Sequence, residues 1–517
     1  MRTRRLVLGL CALALLVTLP GCPKYGALTQ QWSYKTGDTI AATPAVNWDR
    51  VFIGSWDGYE YALNESNGAF IWKRYLGRTP DPGGCDTVGV TSSPLTIGGT
   101  LYLGGGDDYW YALNMYTGNP LWKVFTGSTS TGHYNWSTPA ELNRFAYVGV
   151  ASLCDTPLVQ GQLLRVDMTN HTIANTVDFV PDGEVGGTVW TKPVVDVGRN
   201  RVYLTTGNRA YDATRVNQPY AESIVSVDAT TLAIKDHWSL PLSEPTPDPD
   251  WGTAPLFFGD GANHDMVSAG NKNGVVYAFR RDNLAAGPVW SRRIAFAATN
   301  DAPAAGGIYS NGVYDFHRVY YAGGGTTVGG KTVPGSIRAL DPATGNVIWE
   351  TALPDKPFGQ LSYINGMVVV SSLKAIDLVD ATTGEVLYEN PLTLYGGATV
   401  KNGRILIGDF QGTLHAYTVP SQAGATAAAK VALARGCQQF QQPAVGAGKV
   451  RATRTGSATA PATIGVYRAA DCSGRPVARA RLRGGQSAVV KLRRALRRKH
   501  LWVSSSRPVH LKLALAR

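Results

Sequence analysis

Apolar and polar residues alternate along this chain, break at a turn, and alternate again. The stretch "SIRALDPATGNVIWETAL" (336–353) shows the pattern, and "YEYALNESNGAFIWKRYL" from Tyr59, "YWYALNMYTGNPLWKVFT" from Tyr109 and "IDLVDATTGEVLYENPL" from Ile376 repeat it. A period of two predicts strands with one buried face. Asp or Asn opens each turn, because its short side chain can bond the backbone two residues on. Gly closes it, because positive φ costs it little. Each unit is therefore a hairpin, and recurring hairpins predict a repeat protein.

The hairpins end in Trp72, Trp122, Trp238, Trp290, Trp349 and Tyr388, with Val177 holding that place in the degenerate copy "QLLRVDMTNHTIANTVDF". Seven units about 40–60 residues apart fit four-stranded propeller blades. An eighth, "YGGATVKNGRILIGDFQGTLHAYTVP" (395–420), supplies three strands and stops without its tryptophan. The missing strand lies near the other end, in "LTQQWSYKTG" with Trp32. Pairing the first strand with the last three closes the ring and removes an exposed edge. The fold expected is all-β, an eight-bladed propeller over 27–421. The tryptophans are read as packing between blades.

Composition agrees. Of 517 residues, 44% are hydrophobic and only 17% charged, with 59 Gly and 29 Pro, which suits many short strands and turns. The start, "MRTRRLVLGLCALALLVTLPGC", has three arginines before an apolar run and reads as a signal peptide over 1–21. Its "LPGC" resembles a bacterial lipobox. This makes Cys22 the lipidated first mature residue and the location extracytoplasmic, either membrane-anchored or, alternatively, simply secreted. Cys85, Cys154, Cys437 and Cys472 remain, an even number that favours disulfides in an exported chain. The expected pairs are Cys437–Cys472 and Cys85–Cys154.

The net charge of +12 conceals a division, because residues 422–517 hold 19 Lys/Arg against one acid, Asp471. The body between leader and tail therefore carries about −9. A Gly/Ala linker (422–432) is expected to lead to a small basic β-sandwich-like domain (433–517). Anionic cell-wall polymer, polysaccharide or lipid is a better expected partner for that tail than nucleic acid, and a merely solvated basic face is the alternative. A monomer is expected.

The turn "IRALDPATGNVIW" resembles the ALDxxTGxxxW signature of the quinoprotein, or PQQ-dependent, alcohol dehydrogenase-like propellers. The resemblance covers roughly 30–420. Two further stretches carry it into the family's cofactor site: "GTVWTKPVVDVGRNRVYLTTGN" (187–208) and "DPDWGTAPLFFGDGANHDMVSAGNKNGVVYAF" (248–279). By these the chain is most similar to the polyvinyl-alcohol-dehydrogenase-like subgroup. The resemblance implies a PQQ and Ca²⁺ site acting on small or polymeric alcohols. Trp190 would be the indole floor under the quinone and Asn208 a Ca²⁺ ligand. Asp250 would be the general base, with Asp248 as second choice, and Lys272 would donate to the quinone oxygens. That set suits alcohol oxidation, which needs a base, a hard cation and an ammonium.

The chain also departs from the family. It has no adjacent cysteine pair, Gln160 stands where an arginine is expected, and only Asp155 can replace the family's calcium glutamate. The alternative is a non-catalytic propeller that has lost quinone binding. It would serve as a scaffold in protein assembly, like the outer-membrane assembly lipoprotein, or bind glycan or cell wall.

Overall fold

The computed structural model describes residues 27–420 apart from 81–85, 211–216, 242 and 299–305, together with the backbone of eight strands between 428 and 515. The leader with Cys22, and Cys85 and Cys472, lie outside the described residues.

Eight antiparallel sheets follow one another along the chain. Seven begin at Ala45, Leu95, His133, Val194, Leu256, Val313 and Ser362. The eighth joins Thr399–Lys401, Arg404–Gly408 and Thr413–Thr418 to Gln30–Lys35, which pairs with Thr413–Thr418. Eight apolar clusters, each shared by two consecutive blades, form the core. The cluster between blades 8 and 1 brings Trp32, Leu406 and Leu414 against Ile53, Tyr61 and Leu63, so the ring is closed. No blade buries both faces alone, and burial against two neighbours is what makes each sheet stable.

The turn residues act as their chemistry predicts. The Asp341 carboxylate accepts from the amides of Ala343 and Thr344, each at 3.0 Å. Gly345 has φ +66, and a Cβ there would lie 2.4 Å from the Trp290 ring of the preceding blade. The Trp290 indole N–H donates to the Pro342 carbonyl at 2.9 Å. Trp32, Trp72 and Trp349 meet Gly68, Gly118 and Gly384 in the same way. The signature's Gly and Trp are thus the two halves of an inter-blade contact. In the degenerate blade 3, His171 takes the glycine's place at φ 60 and stacks on Trp122 at 4.9 Å.

Two positions differ from the expected repeat. Trp72, Trp122, Trp290 and Trp349 pair with Ala62, Ala112, Ala278 and Ala339. Trp238 and Val177 pair instead with Ile224 and Leu163, with Asp236 and Asn175 opposite Ser226 and Arg165. Polar residues occupy the usual site in these blades, and a side chain two residues on returns to the same face. In the tail, two antiparallel four-stranded sheets are formed. The strand Ala428–Leu433 begins inside the stretch expected as linker (422–432) and pairs with Val509–Leu515. Its alanines hide the alternation, whereas the ladder needs only backbone.

Candidate functional site

A cavity of about 720 Å³ opens on the ring axis, with residues from every blade in its wall. Asp155, Trp190, Asn208, Asp248, Asp250 and Lys272 all line it, so the residues picked out by sequence come together. They sit on loops from blades 3, 4 and 5, and backbone contacts hold those loops in place. The Gly207 amide donates to the Thr188 carbonyl at 2.7 Å, tying the Asn208 turn to the Trp190 loop. A Cβ at Gly207 would lie 2.5 Å from the Thr188 hydroxyl, so the close approach requires glycine. The Lys272 amide donates to the Asp250 carbonyl at 3.1 Å, and the Asn271 side-chain amide donates to the Pro249 carbonyl at 2.7 Å. The hairpin tip thereby fixes the aspartate loop.

The side chains form one polar chain. Asn208 Nδ2 donates to Asp155 Oδ2 at 3.2 Å and to Asp248 Oδ1 at 2.8 Å. Lys272 Nζ donates to Asp248 Oδ2 at 2.9 Å and pairs with Asp250 Oδ1 at 2.8 Å. The same ammonium lies 5.5 Å from the Trp190 ring centroid. Asp250 is 3% exposed. Burial pushes its carboxyl well above the usual carboxylate range, the Lys272 charge opposing and the Asp248 charge adding to the rise. Burial also raises Asp155, against the Lys272 charge and the Asn208 bond. Burial alone would lower Lys272, but the charges of Asp250 and Asp248 hold it protonated. One cation facing two carboxylates leaves Asp250 poised to take a proton.

Sequence reasoning missed three groups. Tyr309 lines the cavity with Lys272 Nζ 5.6 Å from its ring. Glu222 is 3% exposed, pairs with Arg209 at 3.6 Å and also lines it. Lys356 is completely buried against the rings of Tyr309 and Phe358, 4.1 and 4.8 Å from their centroids. Its Nζ has no hydrogen-bond partner among the described residues. Burial, with the Lys272 charge, pulls its amine down to about 7. No motif marks Lys356; "PDKPFG" reads as an ordinary loop.

Because the folded pKa of Lys356 is depressed, the unfolded chain binds the extra proton between pH 7 and the ordinary lysine value. Stability therefore rises with pH across that window. Lys356→Met removes both the unpaired amine and this penalty. The variant should unfold at higher urea than the parent by about 2–4 kcal/mol at pH 7, with the gap narrowing towards pH 10. A variant weaker at pH 7 would show that the amine has a partner.

Eight blades, four of whose junctions are indole-on-glycine contacts, around a polar axial cavity define the class: an eight-bladed, quinoprotein-like β-propeller built of PQQ-like repeats. Among particular proteins, the chain is 28% identical over 189 residues to a polyvinylalcohol dehydrogenase of Sphingopyxis sp. (strain 113P3), across 32% of this chain and 27% of that one. The matched stretch thus spans about a quarter of that relative. Residues 29–172 match the repeat family described as outer membrane protein assembly factor BamB. The quinohemoprotein alcohol dehydrogenase from Comamonas testosteroni superposes with a TM-score of 0.61 at 17% identity, over 77% of each chain. BamB from Moraxella catarrhalis does so with 0.53 at 15%, over 76% of this chain and all of that one.

Proposed function

We propose that this chain is an exported quinoprotein-type oxidoreductase acting on alcohols, with PQQ and Ca²⁺ in the axial cavity. The observation that carries the reading is Asn208. Its Oδ1 is buried and makes no hydrogen bond among the described residues, while its Nδ2 holds two carboxylates beside it. A buried amide oxygen without a partner is costly, and with Asp155 and Asp248 it offers the hard oxygens that Ca²⁺ prefers. Trp190 offers a flat face and Lys272 a fixed cation for quinone oxygens, so the residues suit the group.

A bound quinone would accept the hydride that oxidation of an alcohol carbon releases, and Ca²⁺ would polarise it. Asp250 takes the hydroxyl proton onto its carboxylate, for which burial has raised its basicity. Lys272 keeps its charge throughout and stabilises negative charge developing nearby. Export and anchoring through Cys22 complete the proposal, as does pairing of Cys154, which is disulfide-bonded, with Cys85. The basic tail would bind anionic wall polymer or lipid.

Purified protein given PQQ and Ca²⁺ and then desalted should retain quinone absorbance, and Asn208→Ala should lose the calcium-dependent part. Asp250→Asn should keep the quinone yet lower alcohol-dependent dye reduction by about 10²–10⁴-fold. The competing reading, a quinone-free assembly scaffold, is favoured by Gln160 and by the repeat match at residues 29–172. Protein that retains no quinone would establish that reading.

A further inference from the structure

A short motif recurs where the chain enters each of the first five blades. Thr43, Ser93, Thr138, Lys192 and Ala254 lie two positions before the strands that start at Ala45, Leu95, Ala140, Val194 and Leu256, and each precedes a proline. Proline biases the residue before it towards extended backbone, which suits a loop turning into a strand. Asn311, Gln360 and Gly397 hold the same place in blades 6, 7 and 8. All of these except Ala254 line the axial cavity. Hydrogen bonds between neighbouring blades run within this layer. The Thr43 amide donates to Ser93 Oγ at 2.8 Å, the Gly397 amide to Thr43 Oγ1 at 3.2 Å, and the Ala254 amide to Asn311 Oδ1 at 2.7 Å. The oxygens are thus engaged as acceptors. The hydroxyl hydrogens of Thr43 and Ser93 and the Asn311 Nδ2 group donate no hydrogen bond among the described residues.

Lys192 is the only charged residue at this place in the eight blades. It is exposed within the cavity it lines, and its ammonium makes no ion pair or hydrogen bond among the described residues. The other two cations of the wall are partnered, Lys272 with Asp248 and Asp250, and Arg209 with Glu222. Surrounding protein lowers the Lys192 amine, and no carboxylate offsets that fall. An unpaired charge held among protein atoms is costly, and an anion beside it removes the cost. We infer that Lys192 and the donors of its layer form a binding site for a small oxyanion on the propeller axis. Oxyanions take N–H and O–H donors in strong charge-assisted bonds. A metal cation finds no carboxylate in this layer. The site goes beyond the oxidoreductase reading, since none of its members belongs to the Asn208–Lys272 cluster and it requires neither quinone nor metal.

The test is acetylation of the purified full chain by an N-hydroxysuccinimide ester, without PQQ or Ca²⁺, read residue by residue by peptide mass spectrometry. Saturating inorganic phosphate should slow the modification of Lys192 by at least about tenfold, because only the unliganded amine reacts. Lys331, on an exposed hairpin of blade 6, should react at the rate seen in sodium chloride of equal ionic strength. Calorimetry gives the second reading. Lys192→Met should weaken phosphate binding by about tenfold or more, Lys192→Arg should keep most of it, and Thr138→Val should weaken it severalfold. The basic tail is common to parent and variants, so their difference reports the cavity alone. Equal slowing of Lys192 by chloride, which marks a merely solvated lysine, or phosphate binding unchanged in Lys192→Met, would each overturn the inference. Because no cofactor is present, failure here leaves the quinone reading standing, and the reverse holds too.

Discussion

Removing residues 30–35 should destroy the cooperative unfolding of the propeller. That strand supplies the outer strand of blade 8, and its Trp32 is 8% exposed within the cluster joining blades 8 and 1. The Trp32 indole N–H donates to the Glu65 carbonyl at 3.0 Å, and a Cβ at Gly68 would lie 2.6 Å from its ring. Without the strand, Thr413–Thr418 becomes an open edge and the blade loses its packing against blade 1. Trp32→Ala alone should cost about 3–5 kcal/mol. Thermal melts followed by circular dichroism check both. A truncated chain melting cooperatively within a few degrees of the parent would show that the ring closes elsewhere.

Lys272→Met should be the most damaging single change in the cavity wall. It leaves Asp248 and Asp250 facing each other without the cation that holds them, and breaking a buried ion pair from one side costs about 3–5 kcal/mol. The loss should depend on pH. A buried carboxyl with a raised pKa binds its proton more tightly in the folded chain than in the unfolded one. Stability then falls as pH rises from the ordinary Asp value through the folded one. Without Lys272 the Asp250 pKa rises further, so the deficit should be largest at pH 8 and shrink towards pH 4–5. Adding Asp250→Asn should restore much of it. Urea unfolding of parent, single and double variants at pH 5 and 8 decides the matter. A deficit independent of pH would place the damage in packing.

The aspartates, the lysine and the asparagine were legible only as members of a known motif order. Nothing local to "PTPDPDWG" or "GNKNG" distinguishes Asp250 or Lys272 from loop residues. What joins them is the bond from the Lys272 amide to the Asp250 carbonyl and the ion pair above it. Both exist only once the hairpin tip of blade 5 folds back on the preceding loop.

The sequence by itself determined the hairpins, their number and the closure of the ring. Period-two alternation, Asp/Asn-to-Gly turns and a recurring indole are local or nearly local, and Trp32 and the strands after Tyr395 each announce a missing half. Tertiary structure alone decided the shift at Trp238 and Val177, the burial of Lys356 against Tyr309 and Phe358, and the layer of donors that joins Lys192 at the axis. Those properties depend on which loops from separate blades meet at the axis. Chain pattern records which face of a strand is buried, but not which distant side chains share the space that ring closure leaves.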